Sequence, residues 1–543
     1  MVLRHLGTPN LRQLIGKDLL TKIESILPKI DKEIDELALH RKRILADIFS
    51  SFTDASHFKS SKFRKTFYNS IPENEIDRVI EATNPALLNS DFNDKVDFLI
   101  KAGWKDDELT RSIIDEFHLP KQFQPKTKKQ RSEIENVEYP LVPYKSLKQF
   151  QTSVYFSSKE KIIPFGRFII QMPTGSGKTR TSMELICDTF KKYSNPVNII
   201  WLAHSEELCE QAIECFKEVW AHIGTHEINV CRVFSSYNSI QSLPNGYNFI
   251  VGGFQKIHSQ LKKNANFLNP VNKNLKLIVV DEAHKVLAPT YKEVTEQLAL
   301  ANCCVIGLTA TPGRSKDDIF ENKKLAEFFY NVKFTIDTPK GESVIAYLKS
   351  LEVLSHVKYD ELICSTSITL TKKEKEYIEE KFDYPPGFLR KLGEDDVRNL
   401  EIIQKLLKYL EEGKQTIYFA TSKDQSKFIN SILTYMGYKS CHIDGDTDKG
   451  SREFNIEMFK NKELQIICNY GVLTTGFDAP QTDLVFIARP TQSIVLYSQM
   501  IGRGLRGPAI GGTEKCTICT VKDNIIGLPH EQKIYEYFDE YFD

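Results

Sequence analysis

The stretch "IIQMPTGSGKTRTSMELI", residues 169–186, narrows most what this chain can fold into. A β-branched run enters a glycine-rich turn, and the turn enters an apolar segment with helical spacing. A strict phosphate loop reads G-x-x-x-x-G-K-[ST], and its first position here is Met172. Gly175, Ser176, Gly177, Lys178 and Thr179, with Thr174 before them, keep the groups that touch phosphate. These are amide N–H groups in a tight nest, a lysine, and a hydroxyl suited to Mg²⁺. A strand that passes through such a turn into a helix aims backbone donors and a helix N-terminus at an anion.

The surrounding texture supports that placement. From about residue 140 the runs "GRFIIQ", "VNIIWLA", "YNFIVGGF", "LKLIVVDEAH" and "CCVIGLTATP" alternate with helical segments. After a charged helical stretch, "QTIYFAT", "YKSCHIDG", "LQIICNYG" and "TDLVFIARP" repeat the texture. Runs apolar on both faces are what a helix-covered parallel sheet requires, so two tandem α/β domains are expected. Residues 1–120 read as helical, 121–139 as a basic polar linker, 140–335 and 336–525 as the two α/β domains, and 526–543 as a tail. Within the helical region, "FKSSKFRKTFY" (58–68) interleaves Lys59, Lys62, Arg64 and Lys65 with four aromatic rings. That mix suits phosphate contact with base stacking, but it suits better an ordinary helix with a snorkelling basic face.

Composition adds exclusions. The chain has 543 residues, with 72 Lys+Arg against 72 Asp+Glu, so a nucleic-acid footprint must be a local patch. Its opening "MVLRHLGTPNLRQ" lacks an apolar signal core, and no run has the length to cross a bilayer. Eleven scattered cysteines fit a reducing, intracellular and cytoplasmic setting. Cys516 and Cys519 sit on a strand-like segment without a second pair, which favours buried thiols over zinc.

About a hundred residues after the loop, "LIVVDEAHKV" puts Asp281 and Glu282 at the end of an apolar strand. Asp281 is placed to hold a Mg²⁺ shell, and Glu282 to orient and deprotonate a water. Two carboxylates at a strand end are otherwise just solvated; it is the upstream loop that gives them meaning.

The ordered set "LKQFQ", "MPTGSGKT", "DEAH", "TATP", "TTGFD" and "QMIGRGLR" resembles superfamily 2 helicases and translocases, over about residues 140–525. Members of that superfamily often lack the first loop glycine. The resemblance implies two tandem RecA-like domains with parallel sheets behind a helical N-terminal domain. It implies ATP and Mg²⁺ as cofactors, with Thr179 and Asp281 toward the metal and Gln151 toward the base. Gly476 and Asp478 would also touch nucleotide. Gln499, Arg503 and Arg506 match the arginine-finger motif, and His284, Thr309 and Thr311 match elements that couple hydrolysis to movement. Glu207, Gln211, Phe254, Gln255, Lys256, Thr421, Arg452, Thr474 and Thr475 match positions that grip a nucleic-acid backbone.

The spellings "TATP", "GFD" and "ARPTQSIVLYSQMIGRGLRG" look more like restriction- and repair-type DNA motors than DEAD-box RNA helicases. DNA is the expected partner, with RNA as the alternative, in a defence, restriction or repair setting. The helical first 120 residues are expected to dock a protein partner or touch DNA. The alternative from another class is a nucleotide-gated interaction protein whose core acts as a switch.

Overall fold

Apolar side chains that alternate between two sides of each strand dictate the layering. The computed structural model describes residues 6–30, 41–125, 132–137, 146–313, 319–364, 368–381, 383–474 and 481–523. Eight strands form the first sheet: β1 (Ile134–Val137), β2 (Arg167–Gln171), β3 (Asn198–Ala203), β4 (Ile228–Val233), β5 (Asn248–Gly253), β6 (Leu275–Asp281), β7 (Cys304–Thr309) and β8 (Lys333–Phe334). Their order is β1-β4-β5-β3-β6-β7-β2-β8, and only β1 runs antiparallel to its neighbour. In β3, Ile199 and Trp201 enter one core while Ile200 and Leu202 enter the other. Each such side chain contributes about 1.5–3 kcal/mol by leaving water.

The second sheet holds β9 (His356–Ile363), β10 (Thr416–Phe419), β11 (Ser440–Ile443), β12 (Ile466–Asn469), β13 (Leu484–Ile487) and β14 (Lys515–Lys522). Its order is β11-β12-β10-β13-β14-β9, with every pairing parallel. Val485 and Ile487 face the core shared with the first lobe, and Leu484 and Phe486 face the opposite side. Cys516 and Cys519 point to those two opposite faces, so they cannot act as a pair on one ion.

One segment differs from the sequence expectation. Residues 132–137 lie in the stretch read as a linker, yet they form β1, the edge strand of the first sheet. Arg232, fully buried on β4, explains why: it needs a counter-charge, and Glu135 of β1 supplies it at 2.7 Å. The basic-aromatic stretch 58–68 is helical with its rings in the core, in line with the reading favoured from its sequence over a stacking platform. Phe58, Phe67 and Tyr68 are buried, and the Phe58 ring packs on Trp104 with centroids 4.3 Å apart. Arg64 turns inward and donates to the carbonyls of Lys59 and Ile100 at 2.9 and 3.0 Å.

The N-terminal helices do not stand apart. Leu20, Ile23 and Leu27 of helix Lys17–Ile30, and Leu45, Ile48 and Phe49 of helix Lys42–Phe52, share one core with the outer face of the second sheet. The Lys22 ammonium lies 4.9 Å from the Phe428 ring centroid, and Asn430 Nδ2 donates to Ser51 Oγ at 2.8 Å. No helix among the described residues is long and apolar enough to cross a membrane.

Candidate nucleotide and nucleic-acid sites

Strands β6, β7 and β2 are neighbours, so their C-terminal ends bring the DEAH segment, the TAT segment and the phosphate loop together. This is where parallel α/β sheets place ligands. Gly175 and Gly177 have φ of 86° and 87°, a left-handed backbone that side chains resist. Ser176 Oγ donates to the Pro173 carbonyl at 2.8 Å, which tightens the turn. Met172 is fully buried and its N–H donates to the Thr309 carbonyl at 3.2 Å. The missing first glycine is thus a core position that pairs the loop to β7. Lys178 opens helix Lys178–Lys192, with Thr179 next on the same turn.

Gln151 sits against this loop. Its Nε2 donates to the Ser176 carbonyl at 3.0 Å and its Oε1 accepts from the Lys148 N–H at 2.9 Å. The amide braces the loop backbone here.

Asp281 is 7% exposed at the end of β6, and its Oδ1 accepts the Glu282 N–H at 3.0 Å. Burial, then the adjacent Glu282 charge, pushes the Asp281 carboxyl up. Burial would push Glu282 up too, but Lys178 and then His284 and Lys285 outweigh it and hold Glu282 down. Glu282 adopts φ 53°, ψ 52°, a strained left-handed conformation for a side-chain-bearing residue. His284 Nδ1 lies 3.3 Å from Thr309 Oγ1 and 3.4 Å from Glu282 Oε2. Two acceptors around Nδ1 place the proton there and leave Nε2 a bare acceptor. Burial holds this imidazole down to about 3, hence neutral. Thr309 Oγ1 accepts the Thr311 N–H at 3.1 Å and donates to the Thr311 carbonyl at 2.8 Å, so both hydroxyl-bearing residues fix the turn after β7.

The second lobe meets this edge directly. Helix Ile494–Ile501, capped by Ser493 Oγ on the Leu496 N–H at 3.2 Å, runs into the segment that carries Arg503 and Arg506. A Cβ built on Gly502 would lie 2.6 Å from Thr174 Cγ2, and one built on Gly175 would lie 3.4 Å from Arg506 Cγ. The arginine segment therefore rests on the phosphate loop. Arg503 Nε donates to the Gln499 carbonyl at 3.3 Å, its Nη2 donates to the Thr474 carbonyl, and Glu282 lies within its electrostatic reach. Burial pushes both guanidinium groups down to about 10, which leaves them charged at neutral pH. Gln499 lines an interlobe cavity of 740 Å³ together with His284 and Lys285. His284 Nε2 and Gln499 Nε2 are both buried without a hydrogen-bond partner among the described residues, an acceptor on one lobe and a donor on the other.

The positions matched to a nucleic-acid grip divide. Phe254 is fully buried and stacks on Tyr291 at 4.1 Å, so it belongs to the core and cannot meet a strand. Thr421 is also fully buried, and its hydroxyl donates to Gln425 Oε1 at 2.9 Å. Motif position predicts neither burial, because it does not report side-chain direction. Gln255 Nε2 donates to the Tyr291 hydroxyl at 3.2 Å, and Lys256 Nζ to the Ser235 carbonyl at 3.2 Å, both at the surface. Gln211 is exposed on helix Glu206–Ile223. Glu207 and Arg452 come from different lobes and pair with each other at 3.6 Å. Thr474 presents its carbonyl to Arg503 and not to the protein exterior. Thr475, Gly476 and Asp478 lie outside the described residues, as does the tail 526–543.

Sequence reasoning passed over Lys285. Its Nζ lies 3.1 Å from His204 Nε2, and burial and then the lysine charge hold that imidazole down to about 4. Asp383 was also passed over: it takes Arg489 Nη2 at 2.6 Å and the Thr491 hydroxyl at 3.1 Å, just before the helix leading to the arginines. The only sequence signal was charge complementarity across a gap of 106 residues.

Residues 130–314 match the family described as type III restriction enzyme, res subunit, and residues 398–507 match the helicase conserved C-terminal domain. A Saccharomyces cerevisiae protein named for an ATP-dependent helicase, IRC3, is 26% identical over 356 residues, covering 63% of this chain and 46% of its own length. A 51.5 kDa protein of a Lactococcus phage is 25% identical over 338 residues, covering 62% of each. A Schizosaccharomyces pombe protein named for a mitochondrial ATP-dependent helicase, irc3, is 26% identical over 360 residues, covering 63% of this chain and 51% of its own. The chain spans less than two thirds of each relative. With the motif order, the paired parallel sheets and these two domain matches in hand, the two α/β domains are those of a superfamily 2 helicase, related to restriction-subunit and repair helicases.

Proposed function

We propose that this chain is an ATP-driven DNA helicase or translocase that hydrolyses ATP between its two lobes. The observation that carries the reading is the seating of Arg506 on Gly175, which puts a second-lobe guanidinium beside a first-lobe phosphate loop. A triphosphate held by that loop would face Lys178 from one lobe and Arg503 and Arg506 from the other, a layout that stabilises charge on the transferring phosphoryl group. Glu282, kept ionised by Lys178, is the residue placed to take a proton from water.

A divalent cation fits the donor set: a buried Asp281 carboxyl beside the charged Glu282, with the Thr179 hydroxyl at the start of the loop helix. Thr179 and Asp281 would hold it, and Mg²⁺ when bound offsets phosphate charge. In the same reading, Gln151 would trade its loop contact for the base edge, and Gly476 and Asp478 would complete the nucleotide contacts. His284 and Gln499, with Thr309 and Thr311 behind them, would report the nucleotide state across the lobe boundary through their complementary unpaired atoms. Such a two-state cleft, opened and closed by differential contact to nucleotide, is a source of stepping.

DNA is favoured over RNA by the motif spellings and by the restriction-enzyme family match, which also favour a restriction, defence or repair role. Gln211, Gln255 and Lys256 remain the surface candidates for backbone contact on the first lobe, with Thr475 a candidate on the second. Backbone contacts carry no base information, so binding would be insensitive to sequence and weakened by salt. Steady-state ATP turnover, measured alone and with single-stranded DNA, duplex DNA and RNA, tests the reading. Lys178→Ala is expected to abolish turnover, and DNA is expected to stimulate the parent. Turnover indifferent to every nucleic acid would rule out a motor.

A further inference from the structure

Glu207 and Arg452 match positions that hold a nucleic-acid backbone, yet a carboxylate next to a phosphate repels it. What Glu207 does hold is Arg452, with 3.6 Å between Oε1 and Nη1, from the opposite lobe. One residue before and one turn back, Glu206 Oε1 and Lys449 Nζ make a second interlobe pair at 3.3 Å. The acidic pair occupies the first turn of helix Glu206–Ile223, and the basic pair the first turn of helix Lys449–Lys460. The two cations are open to solvent to different degrees: the Lys449 side chain is 48% exposed and that of Arg452 21%, so a competing anion reaches Lys449 first.

The basic pair is also held in place. Arg452 Nη2 donates to the Asp444 carbonyl at 3.1 Å, which fixes the guanidinium while Nη1 points toward the other lobe. The N-terminal domain anchors the same turn. Asp54 Oδ2 accepts the Asp448 N–H at 3.0 Å, Lys59 pairs with Asp448 at 3.1 Å, and Ser451 Oγ donates to the Gln122 carbonyl at 2.6 Å. A docked helical domain thus presets a cationic turn whose charges are met by carboxylates from across the gap.

We propose that Glu206 and Glu207 are a latch: they occupy Arg452, the family's expected backbone contact, and Lys449 beside it, until a nucleic-acid strand displaces them from both. This rests on the nucleic-acid reading above. Lys449 is then a binding residue, Glu206 and Glu207 are a counter-ion latch, and Asp54 and Lys59 position the turn.

The test is anisotropy of a labelled single-stranded oligonucleotide with the full chain, over a series of salt concentrations. Glu206→Gln with Glu207→Gln is expected to bind about threefold to tenfold tighter, the range that two partly exposed ion pairs can supply. Lys449→Ala with Arg452→Ala is expected to bind more weakly, with a salt slope shallower by about 1 to 2. If the parent binds and the double glutamine variant binds no tighter, the latch is overturned. If the double alanine variant binds like the parent, the phosphate contact is overturned. A parent that binds no oligonucleotide at all removes the nucleic-acid reading itself.

Discussion

At Gly177 the backbone has φ of 87°, and a Cβ there would lie 2.2 Å from Gln151 Nε2 and displace the amide that braces the loop. Gly177→Ala is therefore expected to lower ATP turnover by about tenfold or more, because a left-handed alanine costs roughly 1–2 kcal/mol before the clash is counted. Phe254 poses the opposite case. Its substitution by alanine is expected to lower unfolding free energy by about 3–5 kcal/mol in chemical denaturation. A variant of normal stability with weakened DNA binding would return Phe254 to the surface role that its motif position suggested. His204 offers a pH test. Its imidazole is held down to about 4 from the ordinary 6.5, chiefly by burial. The unfolded chain binds a proton as pH falls through 6.5, while the folded chain refuses one until about 4. Stability from this residue is present above 6.5 and lost between those values, so His204→Gln is expected to flatten that limb of a stability-against-pH curve. At this scale the sequence revealed residue types and their order. It did not reveal the direction of Phe254 or Thr421, because neighbours on other elements decide which face of a helix or loop is buried.

Among the elements, the apolar runs were legible because a strand buried on both faces must be apolar along most of its length, as β3 is from Ile199 to Ala203. β1 was not. Its segment "IENV" is short and half polar, and what holds it as an edge strand comes from elsewhere in the chain: the buried Arg232 on β4 and Lys217 both pair with Glu135. Glu135→Ala is expected to cost about 2–3 kcal/mol in the first lobe, somewhat less than a wholly unpaired buried charge, because Glu210 stays 3.4 Å from Arg232. A change within about 0.5 kcal/mol would mark 132–137 as the linker its composition suggested. The helix leading to Arg503 and Arg506 was legible from its motif, whereas its brace was not. Asp383 binds Arg489 and Thr491, and the Thr491 hydroxyl accepts the Ser493 N–H at 3.0 Å, so the cap and the brace form one chain of contacts.

Across the whole molecule, helical periodicity in the first 120 residues showed apolar faces but not what covers them. They cover the second lobe: Ile26, Phe49 and Phe123 share a core with Ile429, Ile432 and Phe486. A chain lacking residues 1–125 is expected to bind a hydrophobic dye and aggregate, since it bares that face; a monomeric, dye-silent truncation would show that the two parts fold independently. The lobe boundary is where the two halves of the phosphate site meet. Arg506 touches Gly175 through its side chain and ties to Ser355 and Thr513 through its own carbonyl, so truncating the side chain spares the local fold. The decisive measurement is single-turnover ATP hydrolysis by Arg506→Ala with nucleotide already bound. If one triphosphate is shared between the lobes, the rate falls by at least about a thousandfold while ATP is still held; a rate equal to the parent's would mean that the second lobe contributes nothing to the phosphate site.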